Sequence, residues 1–541
     1  MIIETFKNFV AQADTTTLAC AIPAAVVLFH VIPWLTDSHS LRKYPGPFFA
    51  KFSDFWLAFT SRGGRRSEII HDYHKKFGPV VRIAPNHVSI SDPDALNAVY
   101  GHGTGTLKSE FYDAFVAMDR GLFNVRDRHD HTRKRKVISH IFAQKSVVAF
   151  EPKIAIYVTQ LLNQWDRLYD MAVKGGSGNE GEGGWKGKDG KLYLDILPWM
   201  NYLAFDTIGD LAFGEPFGML AAAKDMAVVP KDQQSAMNSY GKETKEEDIL
   251  TVPVIEAFNN RGEFNLVMGS LPLHWRPLAR RLPGLAQGSR DFKTVAGIAV
   301  AAASKRLSSS TDRIDLMSKL QNSRDSNGNP MSREEMTAEA LTLLVAGSDT
   351  SSNACAAFLY HVAANPSVQD KLHQELDEQL GTEDELVATA EQIKRLTYLE
   401  ACINEALRIQ SVSGIGLPRV VPEGGLEVLG NFFPEGTVLS VPSYSVHRDT
   451  KSWGDDTETY RPERWFERDQ AAMNKAFNPY SVGPRSCVGR NLAAMELSII
   501  LASIMRRYEF VLKDEDKPLV ISEGFLRKPL SVDLGIKRRD V

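Results

Sequence analysis

Apolar residues recur at intervals of three and four over long stretches of this chain, the spacing of helices that bury one face. The pattern predicts helices over residues 153–168, 192–213, 333–364, 366–380, 392–410 and 488–508. Between Ser67 and Pro93 the pattern changes. Short apolar runs such as Val80-Val81-Arg82-Ile83 and Val88-Ser89-Ile90, broken by Gly78-Pro79 and Pro85-Asn86, predict a small hairpin-rich sheet. The fold class expected is mainly α with a minor β part. Two segments lack apolar periodicity. Residues 174–191 are about half glycine and are expected to form a flexible loop, because they cannot bury enough apolar surface to offset their ordering entropy. Residues 230–248 are polar and charged and are expected as a second exposed insertion. Internal repeats are absent, which argues against a solenoid.

The N-terminal apolar run, 18–35, is near the lower length limit for crossing a bilayer, roughly 17–25 residues. Pro23, His30 and Pro33 weaken it, and no basic start or small-residue cleavage site marks it as a secretory signal. Arg42 and Lys43 follow it, so the positive-inside tendency leaves the bulk of the chain in the cytoplasm. The organisation expected is a short lumenal segment over 1–14, a transmembrane anchor helix over 15–36, a linker over 37–50 stiffened by Pro45-Gly46-Pro47, and one catalytic domain over 51–541. A frayed arm, or a helix packed on the globule, is the alternative for the first segment.

Composition narrows the functional classes. Of 541 residues 43% are hydrophobic and 24% charged, which fits a globular enzyme. Lys and Arg total 63 against 67 Asp and Glu, so no broad cationic surface exists for nucleic acid. The four cysteines, Cys20, Cys355, Cys402 and Cys487, are far apart and lack CxxC spacing, which leaves neither a disulfide framework nor a structural zinc site. Any special cysteine acts alone.

Cys487 has the setting for such a role. The turn-rich stretch from Phe477 to Arg490 leads straight into an apolar-periodic helix and places Cys487 beside a helix N-terminus, where free N–H groups and the dipole favour the thiolate. A thiolate held there is a soft metal ligand. Gly483 and Gly489 bracket it, as backbone passing close to a flat, bulky group requires, and Arg485 is within reach of an anionic substituent of that group. From residue type alone, a small buried hydrophobe remains the alternative.

Gly483, Arg485, Cys487 and Gly489, with Tyr480 in the aromatic position, resemble the FxxGxRxCxG haem-binding loop of the cytochrome P450 superfamily. The resemblance implies a triangular helical prism with small β-sheets, and haem b held through the Cys487 thiolate as proximal iron ligand. Ala346-Gly347-Ser348-Asp349-Thr350 is similar to the family's AGxDT segment, in which the alcohol and acid deliver protons during oxygen activation; Asp349 and Thr350 are the catalytic residues this implies. Read without the family, the segment is equally a tolerated helix glycine with Asp and Thr on a wet face. Glu405-Ala406-Leu407-Arg408 and the PERF-like Arg461-Pro462-Glu463-Arg464-Trp465 imply a scaffold clamp of Glu405, Arg408 and Arg464. His131 and Arg135 share a helix face and match the family's WxxxR helix with histidine for tryptophan, while Arg419 matches another arginine that meets a haem propionate. His131, Arg135, Arg419, Arg485 and Cys487 are thus the expected cofactor-binding residues. The remaining lysines and arginines of 126–136 read as a solvated basic face, suited to an acidic electron donor.

A closer resemblance is to fungal benzoate 4-monooxygenases. It rests on Val99-Tyr100-Gly101-His102-Gly103, Leu107-Lys108-Ser109-Glu110-Phe111-Tyr112-Asp113-Ala114-Phe115, Arg120-Gly121-Leu122-Phe123-Asn124, the run from His131 to Lys136, Asn201-Tyr202-Leu203-Ala204-Phe205-Asp206 and Gly524-Phe525-Leu526-Arg527-Lys528-Pro529-Leu530. It implies hydroxylation of a small aromatic acid, benzoate to 4-hydroxybenzoate, with O2 and electrons from NADPH through cytochrome P450 reductase. Cytochrome b5 is an optional second donor, and the location implied is the endoplasmic-reticulum membrane with the catalytic domain cytoplasmic. Lys108, Ser109, Tyr112 and Ser413 are candidates to meet the substrate carboxylate. The rival readings are a secondary-metabolite oxygenase for a larger aromatic or polyketide, and a haem-thiolate isomerase or haem-binding protein that does not activate O2.

Overall fold

The structure, a computed structural model, describes residues 14–230, 249–308, 313–325, 327–381 and 386–540. Its principal helices are α1 (Thr15–Thr36), α2 (Arg128–Ser139), α3 (Glu151–Ala172), α4 (Ile196–Phe213), α5 (Ile255–Ser270), α6 (Pro283–Ser308), α7 (Arg333–Ala363), α8 (Pro366–Leu380), α9 (Thr397–Ile409) and α10 (Arg490–Arg507). Helix α7 is the axis of the molecule. It opens on a capping box, in which the Ser332 hydroxyl accepts from the Glu335 N–H at 3.1 Å and the Glu335 carboxylate accepts from the Ser332 N–H at 3.3 Å. Helices α4, α6, α9 and α10 pack around it, and the largest core cluster gathers apolar side chains from all of them, together with the fully buried Trp165 of α3 and Trp199 of α4.

The strands make small sheets at the periphery. One has the order β1 (Val80–Ala84), β2 (His87–Ile90), β12 (Val438–Ser440), β9 (Arg419–Val420), β3 (Leu107–Lys108); β2 and β12 run parallel, and the other neighbours antiparallel. A second has the order β13 (Tyr508–Leu512), β16 (Asp533–Arg538), β6 (Lys191–Asp195), β5 (Trp185–Lys188), β4 (Ser177–Gly178). Antiparallel pairs β7 (Ala227–Pro230) with β8 (Ile249–Val252), β10 (Leu426–Val428) with β11 (Asn431–Phe433), and β14 (Ile521–Glu523) with β15 (Arg527–Pro529) complete the set. The expected class, mainly α with a minor β part, is the one found.

Several expectations change. The helix predicted over 15–36 forms with those bounds, and the Asp14 carboxylate caps it by accepting from the Thr17 N–H at 2.7 Å. As a transmembrane anchor it is corrected: among the described residues no helix is long and apolar enough to cross a membrane. Threonines open the segment, and His30, Pro33 and Thr36 interrupt its apolar run near the end. Its C-terminal half also leans on the globule, where His30 Nδ1 donates to the Phe52 carbonyl at 3.3 Å and the Trp34 ring lies 5.3 Å from that of Phe52. The Pro-Gly-Pro elbow docks on β1, since the Pro45 carbonyl accepts from the Arg82 N–H at 2.8 Å and a Cβ on Gly46 would fall 2.0 Å from the Arg82 carbonyl oxygen.

The glycine-rich 174–191 segment is a strand pair rather than a loop. Trp185 is buried and its Nε1 donates to Glu180 at 2.7 Å, which supplies the apolar anchor that composition hides. Gly187 is required there because a Cβ would sit 1.9 Å from the Ala172 carbonyl oxygen. The helix predicted from 192 begins at Ile196, because residues 191–195 pair with β16 and β5 and Asp195 caps the helix by accepting from the Leu197 N–H at 3.0 Å. The stretch 392–410 breaks at Leu396 into a short 3-10 turn and α9. The insertion predicted over 230–248 lies outside the described residues except for Pro230, which ends β7.

Behind the cysteine loop, Glu405 holds two guanidinium groups with no exposure to water. Arg408 donates Nε and Nη2 to its carboxylate at 2.9 and 2.8 Å, Arg464 donates Nε at 2.8 Å, and Trp465 Nε1 donates at 3.1 Å. The two cations together hold the Glu405 pKa below its ordinary value despite burial. This clamp braces α9 against the chain that leads to Cys487.

Candidate active site

A cavity of about 990 Å³ lies between α7, α2, α5 and the loop before α10. Cys487 opens onto it. The loop is shaped for this: the Cys487 N–H donates to the Tyr480 carbonyl at 2.9 Å, Ser481 and Gly483 take left-handed φ of 58° and 74°, and a Cβ on Gly483 would lie 1.9 Å from the Tyr100 carbonyl oxygen. Cys487 stands three residues before α10. Burial raises its thiol pKa, while the Gly489 and Arg490 N–H groups and the Arg135 guanidinium pull it back down. Gly489 also lines the cavity, and a Cβ added there would meet nothing within 4 Å.

The sequence-derived cations converge on the same wall. His131 and Arg135 project from one face of α2, and Arg135 Nη1 donates to the Ser486 carbonyl at 2.7 Å. Arg485 donates to the Val125 carbonyl at 2.6 Å and to the Arg126 carbonyl at 3.0 Å. Arg419, at β9, donates Nη1 to the Tyr112 hydroxyl at 2.8 Å, while its Nη2 is buried without a partner. Lys108 donates to the Phe123 carbonyl and lies over the Tyr112 and Phe123 rings at 4.4 and 4.7 Å. Burial pushes the His131 pKa down to about 3, and Arg485, Lys108, Arg135 and Arg419 add to the shift, so its ring is neutral. Among the described residues, none of Lys108, Arg135, Arg419 and Arg485 lies within ion-pairing distance of a carboxylate. A flat group carrying carboxylates would fit this wall: Arg419, with its orphaned nitrogen, and the neighbouring cations would hold its acids, Gly489 leaves room beside it, and Cys487 would supply a sulfur ligand.

The other residues expected to face the substrate divide. Tyr112 and Ser413 line the cavity with Lys108, whereas Ser109 is a helix cap that accepts from the Phe111 N–H at 3.3 Å and does not line it. The basic run after Arg126 is not wholly a solvated face, because Lys134 is buried and, with Arg133, pairs with Glu335.

Asp349 and Thr350 line the cavity from α7. Thr350 donates its hydroxyl back to the Ala346 carbonyl at 2.6 Å, as its mid-helix position predicts. Gly347 is dictated by packing, since a Cβ would fall 2.6 Å from Ile208 of α4. Asp349 is not the unpaired acid that its apolar flanks suggest. Lys528 of β15 pairs with it at 2.5 Å and also donates to the Asn259 side chain at 2.9 Å. Sequence reasoning missed Lys528 as its partner and passed over Arg261 and Glu496, which also line the cavity. Burial pushes the Glu496 pKa up to about 7, and the Ser351 hydroxyl donates to it at 3.1 Å. Its signal was legible as an acid among the inward positions of α10; Arg261 offered none, being one arginine in a polar stretch of α5.

Comparison with known proteins agrees with this geometry. The cytochrome P450 family model matches residues 45–536. The chain is 44% identical over 525 residues to the benzoate 4-monooxygenase bphA of Aspergillus niger, covering 95% of this chain and 96% of that protein. It is 31% identical over 517 residues to the cytochrome P450 monooxygenase traB of Penicillium crustosum, covering 93% and 92%. With the cytochrome P450 monooxygenase poxM of Penicillium oxalicum it shares 29% over 487 residues, covering 90% and 87%. A cysteine loop, a cationic wall and a long helix bearing Asp and Thr meet in one cavity, the match spans nearly the whole sequence, and this chain belongs to the cytochrome P450 family.

Proposed function

We propose that the protein is a haem-thiolate monooxygenase that hydroxylates benzoate to 4-hydroxybenzoate, using O2 and electrons delivered from NADPH by a cytochrome P450 reductase. The observation that carries the reading is the shared cavity, which brings Cys487, the uncompensated cations and the Asp349–Thr350 pair to one space. Substrate class follows from the 44% identical relative, which is named as a benzoate 4-monooxygenase. Cavity size supports a small substrate: about 990 Å³ is at the upper end of ordinary ligand sites, roughly 300–1,000 Å³, and a macrocycle takes much of it.

When bound, haem supplies the electron-accepting and oxygen-activating chemistry. The protein supplies position and charge. Cys487 would hold the metal as thiolate, favoured by the N–H groups of Gly489 and Arg490 and by Arg135. Arg135, Arg419 and Arg485, with neutral His131 as a further donor, would bind the propionates. Thr350 and Asp349 would pass protons in from solvent, the hydroxyl steadied by its bond to Ala346 and the acid by Lys528. Exposed Arg128, Lys136 and Arg490 give an acidic reductase a surface to meet. We assign the protein to the endoplasmic-reticulum membrane surface on the strength of an exposed apolar face of α1 formed by Leu28, Ile32 and Leu35, each about half exposed, and of the exposed Phe48 and Phe49 that follow.

Turnover of benzoate by the holoprotein with NADPH and a fungal reductase tests the reading. We expect 4-hydroxybenzoate from the wild type and none from Cys487→Ser, which also loses the thiolate-type carbonyl absorption band. A wild type that consumes NADPH with larger aromatics only would transfer the assignment to secondary metabolism, and survival of the carbonyl band in Cys487→Ser would remove the ligand assignment.

A further inference from the structure

The cavity has two charged poles. Lys108, Arg135, Arg419 and Arg485, with the neutral His131 among them, form the pole beside Cys487. The second lies on the helix side, where Arg261 of α5 and Lys528 of β15 stand with Asp349 of α7. Within it Lys528 is engaged, since Asp349 and Asn259 already take its ammonium protons. Arg261 is not. It is 8% exposed and lines the cavity, its Nε is buried without a hydrogen-bond partner, and among the described residues no acceptor and no carboxylate lies within bonding distance of its guanidinium. Its guanidinium lies over the ring of Phe292, 5.8 Å from the centroid, a contact that steadies it without neutralising it.

Arg261 therefore has no bonded counter-charge of its own: Asp349 is taken by Lys528, and Glu256 and Glu263, which also line the cavity, make no ion pair with it. Burying such a charge without an anion is strongly unfavourable, and an arginine kept in that state is completed by an acid that arrives from the cavity. We infer that Arg261 is the specificity-determining receptor for the carboxylate of an aromatic acid, taking it as a planar two-pronged acceptor while the ring extends into the apolar space between Ile208, Val345, Leu417 and Phe525. Lys528 bonds Asp349, so that Arg261, which feels that carboxylate without bonding it, keeps its donors available for the substrate. This deepens the monooxygenase reading above and rests on it for the reaction, though not for the identity of the acid.

Spin-state titration of the full-length holoprotein tests the inference, with benzoate and its neutral counterpart benzamide as probes against wild type, Arg261→Gln and Arg261→Lys. The carbonyl band of each variant reports that it is folded. The wild type should bind benzoate more tightly than benzamide. Arg261→Gln should weaken benzoate by about 10- to 100-fold, the range for a hydrogen bond to a charged group, and leave benzamide within about threefold. Arg261→Lys should recover part of the loss. The inference is overturned if the wild type shows no preference for the anion, if both probes weaken equally in Arg261→Gln, or if benzoate is unaffected by it. A wild type silent towards benzoate but responsive to 2-naphthoate through Arg261 would uphold the receptor and sink benzoate as substrate; silence towards both acids would overturn the receptor.

Discussion

Thr350 commits its proton to the Ala346 carbonyl one turn back, so its oxygen is left with lone pairs for a donor in the cavity. Replacing it with alanine removes that acceptor without disturbing Arg261 or the cationic wall. For Thr350→Ala we expect product formed per NADPH consumed to fall by about 100-fold, the lower reach of positioned proton transfer, with benzoate affinity unchanged. Coupling ratios from product and peroxide assays check this, and normal coupling would remove the hydroxyl from the proton route. Glu405 belongs to the same scale with a structural purpose. Glu405→Gln strands the buried charge of Arg408 and leaves Arg464 with Asp456 as its one carboxylate, and stability should drop by about 3–5 kcal/mol. Denaturant titration reads this directly; a loss under about 1 kcal/mol would show that the backbone carbonyls around the two arginines, with Asp456, suffice. The clamp, Cys487 and the paired His131 and Arg135 were legible because their spacing along the chain is the geometry. Arg261 and Lys528 were not, because their significance lies in which of the two cations already has an acid, and only folding decides that.

Helices α7, α8 and α10 lie within a few residues of where periodicity put them, since apolar side chains dominate the buried face of each. Periodicity failed where one residue outweighed composition: Trp185 anchors a strand pair inside a glycine-rich stretch, and Asp195 converts the start of an apparent helix into a strand end. Helix α1 is a third case, with an apolar surface that length and hydropathy alone describe poorly because part of it is spent on the globule. Its exposed side is the element's contribution to location. Leu28→Asp combined with Ile32→Asp places two charges on that side, and co-flotation with phosphatidylcholine vesicles should fall at least about tenfold. Equal flotation of the variant and the wild type would mean that α1 does not face lipid.

Over the whole molecule, acid sensitivity follows from buried histidines. Burial holds His71, His74 and His361 at about 4, and His87 and His447 at about 3, so the unfolded chain takes up protons near pH 6.5 that the fold refuses. Stability from these groups is complete above about pH 6.5 and is lost as pH falls through the window towards 4. Glu339 and Glu496, pushed up to about 7, and Asp54, pushed up to about 6, act in the opposite direction, since the fold retains their protons longer than the unfolded chain does. With His131, also held at about 3, six histidines shift strongly against these three carboxylates, and the other carboxylates that burial raises, among them Asp195, Asp206 and Glu523, move less. The denaturation midpoint should therefore be lower at pH 5 than at pH 7.5, and an equal or higher midpoint at pH 5 would contradict this balance. The general architecture was legible in the sequence because helix periods dominate it. The sheets were less so, since their partners are separated by hundreds of residues: β16 lies between β13 and β6, and β6 precedes it by more than 300 positions. A ribosome must have released everything through Arg538 before that sheet can close, so the nascent polypeptide spends most of its synthesis with a gap at the sheet's centre. A message cut short just after the cysteine codon would lack β13 and β16 and leave β6 without its inner neighbour, so we expect its product to be cleared by quality control rather than to persist as a soluble relic.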